Sequence, residues 1–289
     1  MKNAIGLPNP ADIGPTEASS TVSTVALLGC RIERALGGAV EIVEASRANR
    51  CFPVRVTESL GVCLKFGRAH HVRVDGRDVI YPEDAICVRP PGCIWSTTET
   101  GHVGFLSVDV EASLLPSGLV RGAGMRFADP GVLPDLPTLA RTLRAGDSPE
   151  LLAESVANLV LALGRANLIT ADELRESAPA GTSERVREAL EHAVAEAPSL
   201  ATLAGDHGVS RFALLRQFKR DFGVTPHAFT LSLRVERARE RLARGADLAT
   251  VALELGFADQ PHFTRVFRNR VGIAPGEYAR RVRRTVSVS

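Results

Sequence analysis

Two arginines in the C-terminal third of the chain, Arg216 and Arg265, have side chains that can identify a base in duplex DNA. A planar guanidinium can donate two hydrogen bonds to the O6 and N7 atoms of one guanine in the major groove. A second cation follows each of them by three residues, Lys219 in one case and Arg268 in the other. We expect these two, together with Arg220 and Arg270, to contact phosphates, which adds affinity but little sequence preference.

The elements that carry this chemistry are duplicated between residues 200 and 279. Five residues recur 48 positions later: Leu200, Ala201, Thr202, Ala204 and Gly208 match Leu248, Ala249, Thr250, Ala252 and Gly256. With one extra residue in the turn, Arg216, Phe218, Gly223 and Pro226 match Arg265, Phe267, Gly272 and Pro275. The repeated unit is a short helix, a glycine turn and a second helix with basic residues on one side. This pattern predicts a helix-turn-helix, whose second helix can enter the major groove.

Capping residues predict where these helices begin and end. Ser210 and Asp259 are candidate N-caps of the two second helices, which we call the reading helices. Gly208 and Gly256 lie at the turns, and we expect a positive φ at both because glycine adopts it at little cost. A long helix from Pro226 to about residue 244 should join the two units.

Charge is unevenly distributed along the 289 residues. The net charge is +2, yet residues 184 to 289 carry +6 and the remainder carries −4. A basic half predicts contact with a polyanion, although a solvated helical surface would produce the same imbalance. Apolar residues make up 45% of the chain and charged residues 24%, which is typical of a protein with two folded domains.

Cysteine usage and hydropathy predict the compartment. The five cysteines all precede residue 100 and include no CxxC pair, which argues against a disulfide framework. No run reaches the roughly 18 apolar residues of a membrane helix, and no signal peptide is recognisable. We therefore predict a cytoplasmic protein without a membrane partner.

The pattern along the chain predicts an α+β protein in four segments. Residues 1–24 are rich in proline, serine and alanine, which predicts a disordered tail. Residues 25–134 contain many short strand patterns separated by turn signals, which predicts a β-barrel or sandwich. Residues 135–183 combine a helical period with a polar linker, and residues 184–285 are helical throughout.

Residues 184–281 resemble the DNA-binding domain of the AraC/XylS family of bacterial transcription regulators. The resemblance rests on stretches such as Gly208-Val-Ser-Arg-Phe-Ala-Leu-Leu-Arg-Gln-Phe-Lys, Gly256-Phe-Ala-Asp-Gln-Pro-His-Phe-Thr-Arg-Val-Phe-Arg and Gly272-Ile-Ala-Pro-Gly-Glu-Tyr. It implies an all-α domain of seven helices within residues 184–285. Its two helix-turn-helix motifs would span residues 199–221 and 247–270.

The resemblance also implies which side chains face DNA. In the first reading helix these are Arg211, Phe212, Leu215 and Arg216, and in the second they are Gln260, Pro261, His262, Thr264 and Arg265. Leu215 departs from the family pattern, where a polar residue is common. It either meets a thymine methyl group or covers a neighbouring apolar side chain.

The strand region, over about residues 40–110, resembles the cupin-like sensor barrel that often precedes this DNA-binding domain. Enzymatic cupins bind a metal through a His-x-His pair, whereas His70 and His71 are adjacent here and point to opposite faces of a strand. We therefore predict no metal, no cofactor and no enzymatic activity. A small-molecule effector pocket is expected instead, lined by Cys63, His71, Trp95 and Phe105, although plain barrel core would use the same residue types.

These features predict a sequence-specific DNA-binding transcription regulator that responds to a small-molecule effector. We expect a homodimer, which the apolar stripe Leu152, Val156, Leu159 and Leu163 could mediate, unless it packs on its own barrel. If the protein is an activator, RNA polymerase is a further partner. Two other interpretations stay open: a cupin-type metalloenzyme fused to a helical domain, and a DNA-binding regulator whose barrel serves only for dimerisation.

Overall fold

The computed structural model describes residues 31–35, 38–49, 52–97, 102–115, 124–133, 135–145, 149–169 and 181–283. The tail predicted for residues 1–24 lies outside these ranges. The described N-terminal residues form ten strands: β1 (Arg31–Ala35), β2 (Val40–Asn49), β3 (Arg55–Val56), β4 (Leu60–Phe66), β5 (His70–Val74), β6 (Arg77–Tyr81), β7 (Ile86–Arg89), β8 (Ile94–Thr97), β9 (His102–Val110) and β10 (Arg126–Ala128).

The strands form two antiparallel sheets. One has six strands in the order β1-β2-β9-β4-β7-β10, and the other has four in the order β3-β8-β5-β6. None of the described pairings joins the edges of the two sheets, so the cupin-like barrel is open and is not closed by hydrogen bonds all round. The predicted α+β class, with strands first and helices after, is confirmed.

Strand alternation divides the six-stranded sheet into an outer and an inner face. On β4, Leu60, Val62 and Leu64 belong to an outer core, whereas Cys63 and Lys65 face the space between the sheets. Helices α1 (Leu136–Ala145) and α2 (Pro149–Arg165) cover the outer face. The side chains of Val156, Leu159 and Leu163 are buried there, so this predicted stripe packs on its own barrel, while the side chain of Leu152 lies outside the description.

The C-terminal part consists of seven helices, as expected: α3 (Thr182–His192), α4 (Leu200–Asp206), α5 (Arg211–Phe222), α6 (Pro226–Ala243), α7 (Leu248–Glu254), α8 (Gln260–Val271) and α9 (Pro275–Arg283). The predicted caps are present. The side chain of Ser210 accepts a hydrogen bond from the amide of Ala213, and that of Asp259 accepts one from the amide of His262. Gly208 and Gly256 have φ values of +63° and +71°, which confirms the two predicted turns.

The two halves of the chain share one apolar core cluster. Val72, Trp95 and Phe105 of the sheets belong to the same cluster as Phe263 and Phe267 of α8. Helix α6 packs against β3, and α9 packs against β1. The helical domain therefore forms part of the surroundings of the inner sheet face.

Candidate nucleic-acid interface and interior cavity

Helix α5 presents one apolar and one basic face. Leu214 and Phe218 are fully buried, whereas Arg211, Arg216 and Lys219 are exposed. The spacing of four residues between Leu214 and Phe218 fixes this orientation, because it places both on one side of the helix. The remaining outer side is therefore free to approach a partner.

Phe212 is the most exposed aromatic side chain of α5, at 71%. Its ring lies 5.4 Å from the guanidinium carbon of Arg216, so the two form a cation–π pair at the surface. Leu215 is only half-buried. An apolar ring beside a fixed guanidinium on an open helix face is suited to contact a base edge and a thymine methyl group together.

Helix α8 repeats this arrangement, with Phe263 and Phe267 fully buried. Its outer face lines a shallow surface groove formed by Gln260, Pro261, Thr264, Arg265, Arg268 and Asn269. Asn269 was not among the predicted contacts. Its position four residues after Arg265 places it on the same side of the helix, so the helical period alone could have identified it.

His262 differs from its neighbours on α8. Its Nδ1 accepts a hydrogen bond from the amide of Ala258 at 3.4 Å, and its ring packs edge-on against Phe257 at 5.7 Å. The side chain is half-buried. His262 therefore mainly stabilises the turn before α8, and only part of its ring is available to contact DNA.

Helix α6 holds the two helix-turn-helix units together through Arg234. Its guanidinium donates to the carbonyls of Val194 at 2.9 Å, Ala195 at 3.0 Å and Gly256. Val194 and Ala195 lie between α3 and α4, just before the first unit, whereas Gly256 is the turn of the second. Arg234 thus ties the segment that leads into the first unit to the turn of the second.

The cations at the ends of the reading helices have separate roles. Arg220 is exposed and pairs with Asp221 at 2.9 Å. The prediction that Arg270 contacts a phosphate is wrong, because its side chain points inward and donates hydrogen bonds to the carbonyls of Val54 and Ala228 and to the hydroxyl of Ser232. Arg268, two residues earlier, is exposed.

A cavity of about 110 Å³ lies between the sheets. Of the four predicted effector residues, Cys63, Trp95 and Phe105 line it. His71 does not, because it lies on the outer face of β5 and is exposed. His70 lines the cavity instead, since adjacent strand residues face opposite ways. Residue types could not tell which of the two histidines points inward.

Five charged side chains, which we call the ionic ladder, cross from the sheets to the helical domain: Arg55, Glu236, Arg239, Glu41 and Arg34. Arg55 pairs with Glu236 at 2.8 Å, Arg239 pairs with both Glu236 and Glu41, and Glu41 pairs with Arg34 at 2.8 Å. Every side chain of the ladder is 13% exposed or less. The hydroxyl of Tyr278 on α9 also donates to Glu41, at 2.6 Å.

The two carboxylates of the ionic ladder are ionised. Burial by itself would raise the pKa of Glu41, but the guanidinium groups of Arg239 and Arg34 lower it to about 2. Burial opposes ionisation of Glu236 in the same way, yet Arg239 and Arg55 lower its pKa below the ordinary value. A buried carboxylate is stable only when it is paired in this manner.

A second group of polar side chains also lines the cavity. Arg89 donates to the hydroxyl of Ser107 at 2.8 Å and to the carboxylate of Asp109 at 3.1 Å. Its guanidinium carbon lies 5.1 Å from the ring of Trp95. The Nε of Arg89 and the Nε1 of Trp95 are buried and find no acceptor among the described residues.

Three of the five cysteines are described, and all three are buried. Burial raises the pKa of Cys63 and Cys93 above the ordinary value, and it raises the pKa of Cys87 to about 12. These thiols therefore stay protonated at neutral pH. Since the thiolate is the form that reacts with oxidants and binds soft metals, this environment disfavours both.

Helix α6 contributes a wall of the cavity through Glu236, Arg239 and Glu240. Sequence reasoning missed this contribution, and it missed Arg34, Glu41, Arg55 and Arg89 as well. One signal was present. The segment 234–241 carries charges on every side of the helix, which is not the pattern of a helix with one solvated face.

The described residues form neither a metal cluster nor a membrane span. Within the ranges given above, no group of three or more His, Cys, Asp or Glu side chains has an arrangement that could hold a metal ion. The helices in the described part of the chain are too short or too polar to cross a bilayer.

Comparison with known proteins supports the prediction that the helical half contains a helix-turn-helix domain. Residues 203–281 match the family described as "Helix-turn-helix domain". The HTH-type transcriptional activator RhaS of Escherichia fergusonii is 34% identical over 123 residues, which is 41% of this chain and 42% of that protein. The transcriptional activator NphR of a Rhodococcus species is 27% identical over 209 residues, which is 68% of this chain and 54% of that protein. The chain spans about half or less of the length of these relatives.

A solved structure extends the likeness to both halves. Unsaturated fatty acid-bound ToxT from Vibrio cholerae superposes with a TM-score of 0.52, covering 84% of this chain and 95% of that one. The sequence identity is 12%, so this similarity is one of fold.

Proposed function

We propose that the chain is a sequence-specific DNA-binding transcription regulator of the AraC type, because residues 203–281 match a helix-turn-helix family. The observation that carries the proposal is the duplicated reading face. Helices α5 and α8 bury matched apolar residues and expose matched arginines, Arg216 and Arg265. Two such faces held by α6 can read two segments of the major groove.

The DNA contacts divide into two classes. Arg216, Arg265 and Phe212 are the base-reading side chains, supported by Arg211, Leu215, Gln260 and Thr264. Lys219 and Arg268 bind phosphates, and both are exposed as this role requires. His262 contributes less, because its ring is engaged with Phe257 and with the amide of Ala258.

The cavity between the sheets binds a small-molecule effector. Cys63, Trp95 and Phe105 supply its apolar lining, and ToxT, which shares the fold, has been crystallised with an unsaturated fatty acid bound. The likeness of fold supports a ligand-binding role, while the identity of the ligand follows from the side chains of this chain.

The effector acts by favouring one arrangement of the two halves. Since Glu236, Arg239 and Glu240 of α6 line the cavity, a ligand there contacts the helix that spaces the two reading units. A ligand can shift such an equilibrium only by the difference in its affinity for the two arrangements. Contacts to both halves supply that difference.

The protein acts in the cytoplasm, where bacterial DNA is found, and without catalysis or a resident cofactor. Homodimerisation is supported by Leu151 and Leu161, which lie on the outer face of α2 and are 52% and 56% exposed. RNA polymerase is a partner if the protein activates transcription.

Binding to selected DNA tests the proposal. The full chain is used to select duplexes from a random pool, and Arg216→Ala and Arg265→Ala are compared with the parent by gel shift. Each variant should lose about tenfold or more in affinity and relax the preference at one base position, since a bidentate contact contributes ~1–3 kcal/mol of discrimination. Arg77→Ala, which removes an exposed cation from β6, is the matched control. Unchanged affinity and sequence preference in both test variants would contradict the assignment of Arg216 and Arg265 as base-reading side chains.

A further inference from the structure

Among the described residues of the cavity wall, Lys65 is the one lysine or arginine that forms no ion pair. Its Nζ donates to the main-chain carbonyl of Arg68 at 2.6 Å and lies 3.0 Å from the Nδ1 of His70. The arginines of this wall each pair with a carboxylate: Arg34, Arg55, Arg89 and Arg239. A buried ammonium that lacks an anionic partner loses its proton more readily than an exposed one.

Burial lowers the pKa of the Lys65 ammonium below its ordinary value of 10.5. Cys63, Asp84 and Glu83 act in the opposite direction, but their combined effect is smaller than that of burial. The amine at position 65 is therefore unprotonated more often than the amine of an exposed lysine. Only the unprotonated form has the lone pair with which a lysine attacks a carbonyl carbon.

Lysine is rare in this chain, which makes its use in the cavity wall specific. Of the 35 lysine and arginine residues, three are lysines: Lys2, Lys65 and Lys219. Lys219 is exposed on α5, and Lys2 lies outside the described residues. An arginine would supply a positive charge equally well, but its guanidinium stays protonated in proteins and has no lone pair to offer. Position 65 is therefore where the described part of the wall provides a nucleophilic amine.

His70 and Tyr81 hold this amine in place and provide a route for its proton. The rings of His70 and Tyr81 are stacked with centroids 5.2 Å apart, and the Nζ of Lys65 lies 4.6 Å from the centroid of Tyr81. The hydroxyl of Tyr81 donates to the carbonyl of Cys63 at 3.2 Å, which fixes the ring. Lys65, His70 and Tyr81 all line the cavity, so the Nζ lies at its wall. An imidazole at 3.0 Å can take a proton from the nitrogen and return it to another atom at the same site.

The wall beside Lys65 is apolar. Phe105 is opposite Lys65 in the register of β4 and β9, so the two side chains are neighbours on the inner face. Val72 and Trp95, from the other sheet, also line the cavity. The cavity of about 110 Å³ has room for roughly 7–11 water molecules at about 10–15 Å³ each. A molecule with one ring or a short chain has this bulk.

From this geometry we infer that Lys65 is a covalent binding site for a small aldehyde with an apolar body. The Nζ attacks the carbonyl carbon and forms a C–N bond, while the electron pair of the C=O bond moves to the oxygen. His70 carries a proton from the nitrogen to that oxygen. The two amine protons leave with the oxygen as water, and an imine remains. Nothing is oxidised or reduced, and water reverses the reaction. The inference rests on the proposed function in one respect, namely that the bound aldehyde is the effector.

Selective labelling of the parent chain tests this inference without any substitution. The full chain, free of DNA, is incubated at neutral pH with benzaldehyde or butanal and with cyanoborohydride, which reduces an imine to a stable secondary amine. Peptide mapping then gives the rate of modification at each lysine. Lys65 should be modified at least about tenfold faster than Lys219, although Lys219 is the exposed one, because the free amine and the bound aldehyde are held together.

The adjacent histidines of β5 provide a matched pair of variants. His70→Gln keeps a hydrogen-bonding side chain beside the Nζ but cannot carry a proton. It should slow the labelling of Lys65 by about tenfold or more and leave that of Lys219 unchanged. His71→Gln, on the exposed outer face of the same strand, should leave both rates as they are in the parent. Lys65→Arg keeps the charge, cannot form an imine and should abolish labelling in the cavity.

The inference is overturned if Lys65 is modified no faster than Lys219 with either aldehyde, or if His70→Gln and His71→Gln label Lys65 at the same rate. Gel shifts on the same preparations separate this failure from a failure of the proposed function. A chain that binds its selected duplex without preferential labelling of Lys65 remains a regulator whose ligand is not an aldehyde. A chain with selective labelling of Lys65 that binds no duplex keeps the covalent site and loses the proposed function.

Discussion

The guanidinium of Arg270 donates a hydrogen bond of 3.0 Å to the main-chain carbonyl of Val54. Arg270 lies on reading helix α8, and Val54 lies between Phe52 and Arg55, both of which line the cavity. The second helix-turn-helix is thus tied directly to the wall of the proposed effector site. Arg55 reinforces the same connection through its pair with Glu236 on α6.

Replacing Arg270 should affect stability more than DNA binding. Arg270→Gln removes bonds to Val54, Ala228 and Ser232, and each hydrogen bond from a charged donor is worth about 1.5–3 kcal/mol. We expect the free energy of unfolding in urea to fall by ~2–3 kcal/mol, because a glutamine can still make some of these hydrogen bonds. Amide exchange at residues 52–57 should become faster.

Arg268→Gln is the matched control on the same helix. Its side chain is exposed, so stability should stay within about 0.5 kcal/mol of the parent. The affinity for DNA should fall, and the slope of log affinity against log salt should decrease by about one. A stable Arg270→Gln protein with strongly reduced DNA affinity would contradict the assignment of Arg270 to stability and of Arg268 to DNA binding.

The turn glycines offer a second matched pair. Gly208 and Gly256 have similar φ values of +63° and +71°, so an alanine at either position costs about 1–2 kcal/mol in backbone energy. A Cβ at Gly208 would meet no atom of the described residues within 4 Å, whereas one at Gly256 would lie 1.9 Å from the carbonyl oxygen of Ala195. Gly256→Ala should therefore be markedly less stable than Gly208→Ala in thermal or urea unfolding. Equal losses would show that the close contact between Gly256 and the segment before α4 does not exist.

Local signals in the sequence are sufficient to predict the duplicated unit. Caps such as Ser210 and Asp259, and positive φ at Gly208 and Gly256, are determined within a few residues, so the unit is recognisable from the order of amino acids alone. The same holds for the burial of Leu214 and Phe218 on α5, which follows from their spacing on one helix.

The composition of the cavity depends on pairing between distant segments. Alternation on β5 places His70 and His71 on opposite faces, but the pairing of β5 with β8 determines which face is inside. Glu236 and Arg239 look like surface charges on α6. They are buried because Glu41 on β2 and Arg55 on β3 pair with them across the domain boundary, which local patterns do not encode.

The exposed ring of Phe212 should matter for DNA binding and not for folding. At 71% exposure it contributes little to the core, so Phe212→Ala should leave the free energy of unfolding within about 0.5 kcal/mol. Loss of the contact between Phe212 and DNA, and of its packing on Arg216, should weaken binding to the selected duplex by about tenfold, equal to ~1.4 kcal/mol. Leu253→Ala removes a comparable apolar side chain, 78% exposed on α7, and should leave both properties unchanged. An equal effect of the two variants on DNA affinity would contradict the assignment of Phe212.

Glu240 should make the protein less stable as the pH rises through neutrality. Burial first, and then the carboxylates of Glu58 and Glu111, raise its pKa from the ordinary 4.5 to about 7. A carboxyl whose folded pKa is raised binds its proton more tightly in the folded state. The contribution of Glu240 to stability is therefore largest below pH 4.5, and it is lost as the pH increases from 4.5 to 7. Above pH 7 the free energy of unfolding is therefore about 3 kcal/mol lower than it is below pH 4.5.

Glu240→Gln removes this titration while keeping the shape of the side chain. We expect the variant to be more stable than the parent at pH 8, by up to about 3 kcal/mol, and nearly equal to it at pH 4.5. Urea unfolding at four or five pH values measures the difference. Glu83→Gln, at an exposed position in the turn after β6, should reproduce the parent profile. A Glu240→Gln profile parallel to the parent over this range would show that Glu240 is not the group responsible.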